Sequence, residues 1–285
     1  MTGAVVAITG GARGIGAATA GALIAESARV AIGDLDAELA AETARQLGGG
    51  AVGVGLDVTD RASFAAFLDQ VERSFGPLDV LINNAGIMPL GAFAQESEET
   101  ARRLVEVNLH GVINGSKLAL QRFVPRGRGH LVNIASTAGK TGFPGGASYC
   151  ATKHAVVGLS EAILKEVRGT GIRMSIVMPV VVRTELGSGL QEARGFRSVQ
   201  PVDVADAIVQ ALKTGRVDVY VPRSVGPLIR AQSVLPRALT DAVRRVLRAD
   251  LVLSSPDPVA RAAYDARLAA TSATDHPQET GIGAH

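Results

Sequence analysis

The sequence predicts an α/β fold, doubly wound around a parallel sheet of about seven strands, with a helical C-terminal extension. Short β-branched runs alternate with longer helical segments up to Pro222, as repeated strand–helix units with right-handed crossovers require. The runs are apolar throughout rather than alternating, as in strands covered on both faces. A glycine-rich turn joins the first strand to the first helix.

Taken in order, Val5–Ile8 is the first buried strand, and Thr9-Gly10-Gly11-Ala12-Arg13-Gly14-Ile15-Gly16 leads from it into a helix over Ile15–Glu26. Gly10 allows the sharp turn, Gly14 lets backbone approach a pyrophosphate, and Gly16 lets the helix pack closely on the sheet. Free N–H groups at the helix start, Ile15 among them, then face the phosphates. Arg29–Gly33 is the second strand, and Asp34 ends it. An acid there binds adenosine ribose hydroxyls and repels a 2′-phosphate, which favours NAD. Asp34 also reads as a helix N-cap before Ala37, a role Asp36 fills equally. Arg13 pulls the other way, because a base in this turn suits a 2′-phosphate, so NADP stays open.

Ala51–Leu56, Asp79–Ile82, His130–Ile134, Ile172–Met178 and Asp218–Val221 continue the strand series. Ala37–Leu47, Arg61–Phe75 and Ser148–Arg168 read as helices between them. After Pro222 the character changes. Residues 223–248 carry six arginines against the single acid Asp241, interleaved with leucine, isoleucine and valine. Pro227 and Pro236 divide this stretch into two short helices. A further helical patch lies near Val259–Ala270, and the last dozen residues read as disordered.

Bulk properties narrow the function classes. A hydrophobic content of 47% supports a substantial core. A formal net charge of +2 gives no field that points to nucleic acid as the main partner. Cys150 is the single cysteine, so an intramolecular disulfide is excluded and a reducing cytoplasm suits the chain. Met1–Gly10 carries no Lys or Arg and does not read as a signal peptide. The five histidines lack ligand spacing, so no metal site is expected. Cys150 and His154 read as packing or surface residues.

Tyr149 and Lys153 are four apart at the start of a helix, which places both on one face. A neighbouring ammonium and the positive nicotinamide of an oxidised cofactor both favour a phenolate, so the tyrosine is expected to titrate below its usual ~10. That suits general acid–base chemistry. Tyr-x-x-x-Lys alone is more often amphipathic decoration.

Taken with its neighbours, the pair belongs to a longer pattern. The turn Thr9–Gly16, Asn83-Asn84-Ala85-Gly86, Asn108, Ser136 and Tyr149-Cys150-Ala151-Thr152-Lys153 fall in an order that resembles the short-chain dehydrogenase/reductase family over roughly residues 3–222. The resemblance implies a Rossmann-fold NAD(P)-binding catalytic domain over residues 1–222, with 223–285 as a basic helical extension and tail. It implies Tyr149 as general acid or base and Ser136 as hydrogen-bond donor to the substrate oxygen. Lys153 would bind the nicotinamide ribose and acidify Tyr149, both counting among the cofactor contacts. Asn108 would sit at a helix irregularity and hold a water leading to Lys153. Asp57 and Val58 would meet the adenine, and Asn84, Ala85 and Gly86 would line the cofactor's path. Pro179, Val182 and Thr184 would meet its carboxamide end. One departure stands out: Val180 follows Pro179 where the family has glycine, so this turn must differ or the glycine is not conformationally required.

Apolar residues in the substrate loops (Ile87, Met88, Leu90, Phe93, Phe143) suggest a lipophilic alcohol or carbonyl compound. Gly187, Gly189 and Gly195 give Glu185–Val199 the freedom of a lid. The extension suits packing over the pocket, a subunit interface, or contact with an anionic membrane surface. The expected activity is NAD(P)-dependent interconversion of a secondary alcohol and a ketone, or of an alcohol and an aldehyde. A 3-oxoacyl-thioester reductase using NADPH and a non-catalytic nucleotide sensor are the alternatives. The resemblance also implies a homodimer or homotetramer through helices near Ala101–Phe123 and Ala151–Arg168.

Overall fold

The computed structural model describes residues 1–193, 197–232, 235–247 and 250–275. The end of the tail, expected to be disordered, lies beyond Asp275, outside the described residues. Seven strands form one parallel sheet: β1 (Val5–Thr9), β2 (Arg29–Asp34), β3 (Val52–Gly55), β4 (Val80–Asn83), β5 (Gly129–Ile134), β6 (Ile172–Pro179) and β7 (Asp218–Val221), in the order β3-β2-β1-β4-β5-β6-β7. Helices α1 (Gly14–Ala25), α2 (Ala37–Leu47), α3 (Arg61–Phe75), α4 (Glu98–Val105), α5 (Gly111–Phe123), α6 (Ala147–Glu166) and α7 (Pro201–Thr214) connect them. The last section holds α8 (Val225–Gln232), α9 (Arg237–Val246), α10 (Leu251–Ser254) and α11 (Pro258–Asp275).

The continuous apolar strands are explained by two cores. Val6 and Ile8 of β1 face one side, packed with Leu23 of α1 and Ile208 and Leu212 of α7. Val5 and Ala7 face the other, with Phe64, Phe67 and Leu68 of α3, Phe123 of α5 and Ile163 of α6. Phe64, Phe67 and Phe123 are fully buried, each contributing roughly 2–3 kcal/mol of apolar burial. Helix starts follow local chemistry: Asp36 accepts from the Leu39 N–H, Asp60 from those of Ala62 and Ser63, and Ser97 from that of Thr100.

Pro227 does not break α8, because it is the third residue of that helix, where a backbone N–H would have no helical partner to lose. Pro236 immediately precedes α9. The late helical patch is longer than expected, running over the eighteen residues of α11. Among the described residues no helix is long and apolar enough to cross a membrane.

Candidate active site

The sheet order reverses between β1 and β4, and a cleft opens at the carboxyl ends of these strands. Asn84 pins the two strand exits together: its amide Nδ2 donates to the carbonyls of Thr9 and Gly10, each at 2.9 Å, and its backbone N–H donates to Thr9 Oγ1 at 3.0 Å. Gly10 sits at φ +61° with the Ala85 Cα only 2.8 Å from where a side chain would start, so the turn needs glycine twice over, for conformation and for space. A Cβ on Gly16 would lie 2.2 Å from the Gly10 carbonyl oxygen. Unlike α2 and α3, α1 has no side-chain cap at its start. Its first residues, Gly14 and Ile15, line a cavity of about 770 Å³. A cradle of this kind, with uncapped amides at a helix start, fits a dinucleotide pyrophosphate.

At the far end of β2, the two aspartates divide their work. Asp36 caps α2 and pairs with Arg13 at 2.8 Å. Asp34 is thereby relieved of capping and faces the cavity, its carboxylate accepting from the Ala12 N–H at 3.1 Å. Arg13 also lies 3.7 Å from Glu185, whose carboxylate bonds Arg267 of α11. Arg267, and then Arg13, hold Glu185 below the usual carboxylate range. Asp57 is fixed by hydrogen bonds from the backbone and hydroxyl of Thr59, at 2.8 and 2.7 Å. Val58 offers its carbonyl to Asn114 at 3.1 Å.

Tyr149 and Lys153 lie one turn apart near the start of α6, both buried. Lys153 Nζ donates to the Ile134 carbonyl at 3.0 Å and lies 5.8 Å from the centre of the Tyr149 ring. Burial pulls the Lys153 amine down to about 8. Burial pushes the Tyr149 phenol up, and a hydrogen bond with Ser136 partly opposes it. The expected acidification of Tyr149 is therefore not a property of the protein's own groups. Desolvation dominates, and Lys153 points its proton at a carbonyl. Ser136 caps the short 3₁₀ turn Thr137–Gly139 by accepting from the Ala138 N–H at 3.1 Å.

Asn108 occupies a π-helical turn, Glu106–His110, between α4 and α5. Its side chain is committed to Ile87, accepting from the N–H at 2.8 Å and donating to the carbonyl at 2.9 Å, with Thr152 Oγ1 at 3.3 Å. Thr184 packs beside the phosphate turn, its Cγ2 lying 3.1 Å from where a Gly14 side chain would start.

The cavity brings together Gly10, Arg13, Gly14, Ile15, Asp34, Asp57, Val58, Asn84, Ala85, Gly86, Ser136, Tyr149, Lys153, Pro179, Val182 and Thr184. Gly16 and Asn108 support it from behind rather than lining it. Val180 also lines the cavity; its N–H donates to Val221 at 2.9 Å, and its φ is not positive. The turn after β6 thus runs through conformations open to any residue, which resolves the departure from glycine. Cys150 is buried beneath Phe143, whose N–H reaches its Sγ at 3.3 Å, and His154 is exposed. Among the described residues no cluster of His, Cys, Asp or Glu could hold a metal ion.

Residues after Pro222 contribute more lining than sequence reasoning named: Val225, Leu228 and Ile229 of α8, Val252 and Leu253 of α10, and Tyr264, Arg267 and Leu268 of α11. Their only signal in the sequence was the mixed basic and apolar character of the extension.

The fold and its relatives define the class: an oxidoreductase acting on CH–OH groups. Residues 4–195 match the family model for short chain dehydrogenases. A Xanthobacter autotrophicus protein described as an inactive 2-(S)-hydroxypropyl-CoM dehydrogenase is 40% identical over 208 residues, covering 68% of this chain and 90% of its own. A 3-alpha-(or 20-beta)-hydroxysteroid dehydrogenase of Mycobacterium tuberculosis is 36% identical over 214 residues, covering 73% and 82%. The crystal structure of a short chain dehydrogenase/reductase from Burkholderia phymatum in complex with NAD superposes with a TM-score of 0.73 at 26% identity, over 81% of this chain and 93% of that one. The chain belongs to the short-chain dehydrogenase/reductase family.

Proposed function

We propose that this enzyme interconverts a secondary alcohol and a ketone on a lipophilic small molecule, using NAD, with Tyr149 as general acid and base. The observation that carries the reading is the buried Tyr149 phenol, one helical turn from buried Lys153, on the wall of the cavity that Ser136 and the phosphate cradle also line. Bound NAD supplies the hydride acceptor, and its reduced form the donor. In reduction the Tyr149 Oη–H donates its proton to the carbonyl oxygen; in oxidation the same oxygen takes the proton of the hydroxyl. Ser136 Oγ steadies the negative charge that develops on the substrate oxygen. Lys153 holds the nicotinamide ribose, and its positive charge together with that of the oxidised nicotinamide favours the phenolate of Tyr149. Asn108 keeps the backbone of Ile87 in register beside them.

Asp34 supports NAD over NADP, and so does the engagement of Arg13 by Asp36 and Glu185, which draws the one base of the turn away from a 2′-phosphate. The Burkholderia neighbour's bound NAD agrees. Apolar residues on the cavity wall, including Met88, Phe143, Leu190 and Leu253, favour a lipophilic substrate, in keeping with a hydroxysteroid dehydrogenase among the relatives. One relative is described as inactive; in this chain the intact Ser136, Tyr149 and Lys153 favour turnover. Tyr149→Phe is expected to lower kcat by at least about 10²-fold, the scale of general acid–base catalysis, with dinucleotide affinity nearly unchanged. Retained turnover would refute the assignment. The reading includes a homodimer or homotetramer through the helices near Ala101–Phe123 and Ala151–Arg168, and a single monomer peak in gel filtration would count against it.

A further inference from the structure

Arg261 is an arginine with almost no exposure, at 2%, and it stands on α11, outside the segment that matches the family. Its guanidinium is spent on backbone. One amino group donates to the carbonyls of Leu186 and Ser188, at 3.1 and 3.2 Å, and the other donates to the carbonyl of Met88. Its Nε lies 3.3 Å from the Asp265 carboxylate, and the Tyr264 ring centre is 4.7 Å from the guanidinium carbon. The neighbouring Tyr264, also buried, accepts at its hydroxyl from the Met88 N–H at 2.8 Å. Both backbone groups of Met88 are therefore held by α11.

The three carbonyls belong to two different walls of the cavity. Met88 follows Ile87, whose own N–H and carbonyl are held by Asn108, so the strand exit beside Tyr149 and Lys153 is fixed from both directions. Leu186 and Ser188 belong to the segment after Thr184, which reaches the same stretch of chain again through Asp257 N–H to Gly189 at 2.8 Å. A buried cation is costly unless its donors are satisfied. Here Nε makes no hydrogen bond, and the two amino groups are satisfied only while both walls stand at the correct distance from α11 and from each other. A lysine offers a single point of donation, whereas the planar arginine fork spans both walls at once.

We infer that Arg261 is a positioning residue for the substrate: by bridging Met88 to Leu186 and Ser188 it sets the separation of the two substrate-facing walls. This rests on the proposed catalytic reading only for its consequence in turnover; the bridging itself is independent of it. The test is hydrogen exchange on the full chain, comparing wild type with Arg261→Met and Arg261→Lys, alongside NADH binding by fluorescence. The expected result for Arg261→Met is faster exchange at both Ile87–Leu90 and Leu186–Leu190, by about 10-fold or more, with NADH affinity within about 2-fold of wild type. Arg261→Lys recovers protection at one wall and not both. For an alcohol that the wild type oxidises, kcat/KM falls by about 10- to 100-fold, the scale of misplacing a substrate by an ångström, with KM rising as well as kcat falling. Faster exchange confined to α11, or spread evenly over the whole sheet, would make Arg261 an ordinary stabilising residue and overturn the inference. Should Arg261→Met not fold, Tyr264→Phe removes the Met88 N–H bond alone: faster exchange at Met88 then supports α11 as the anchor of that wall, and unchanged exchange refutes it. If no alcohol is turned over by wild type, the exchange result still stands and only the catalytic reading fails.

Discussion

Lys153 carries its charge into a place with one carbonyl for company. Its pKa is lowered by burial from 10.5 to about 8, which corresponds to roughly 3 kcal/mol of differential stabilisation. Between pH 8 and 10.5 the unfolded chain holds a proton that the folded chain has released, so this amine makes unfolding harder as pH rises through that window. The penalty is fully present below pH 8. Denaturant melts at pH 7.5 and 10 are therefore expected to show the wild type gaining about 2–3 kcal/mol relative to Lys153→Met. An equal response of the two proteins would mean that the amine is solvated. The proposed acid–base role of Tyr149 would call for an ammonium at this place.

At the scale of elements, the close fit of α1 against its turn is the feature most sensitive to a single methyl. Gly16→Ala would set a carbon 2.2 Å from the Gly10 oxygen and 2.8 Å from Asn84 Nδ2. Backbone and a strand-pinning amide must then move. We expect dinucleotide affinity to fall by about 10-fold or more, within the roughly 1–3 kcal/mol range of overpacking, and fluorescence titration with NADH measures it. Unchanged affinity would mean the cradle tolerates a wider turn. The strands, this turn and the Tyr149–Lys153 spacing were legible in the sequence because each is a local pattern with a period or a fixed offset. The irregularity at Asn108 was implied by family resemblance alone, since nothing in Glu106–His110 marks a π turn by composition. Arg261 was not legible at all. Among 29 basic residues its partners are backbone carbonyls up to 173 positions away, and carbonyls leave no trace in a sequence.

Across the whole molecule, a line of charges runs from the end of β2 to the last helix: Asp36, Arg13, Glu185, Arg267. Each of these side chains is partly exposed, so each pairing contributes on the order of 0.2–1 kcal/mol and is screened by salt. Glu185 nevertheless has two suitors, one at the nucleotide and one on α11. Removing Asp36 would free Arg13 to swing toward an added 2′-phosphate, with Asp34 still opposing that phosphate. Glu185 would then lose a partner whenever that phosphate arrived. Asp36→Ala is thus expected to raise NADP affinity and, with NADP alone, to raise the alcohol KM by about 2- to 5-fold at low salt; the same KM with both dinucleotides would show the ends to be uncoupled. Preference for one coenzyme and grip on the proposed substrate would then share one carboxylate, so a change made for either would be felt by the other.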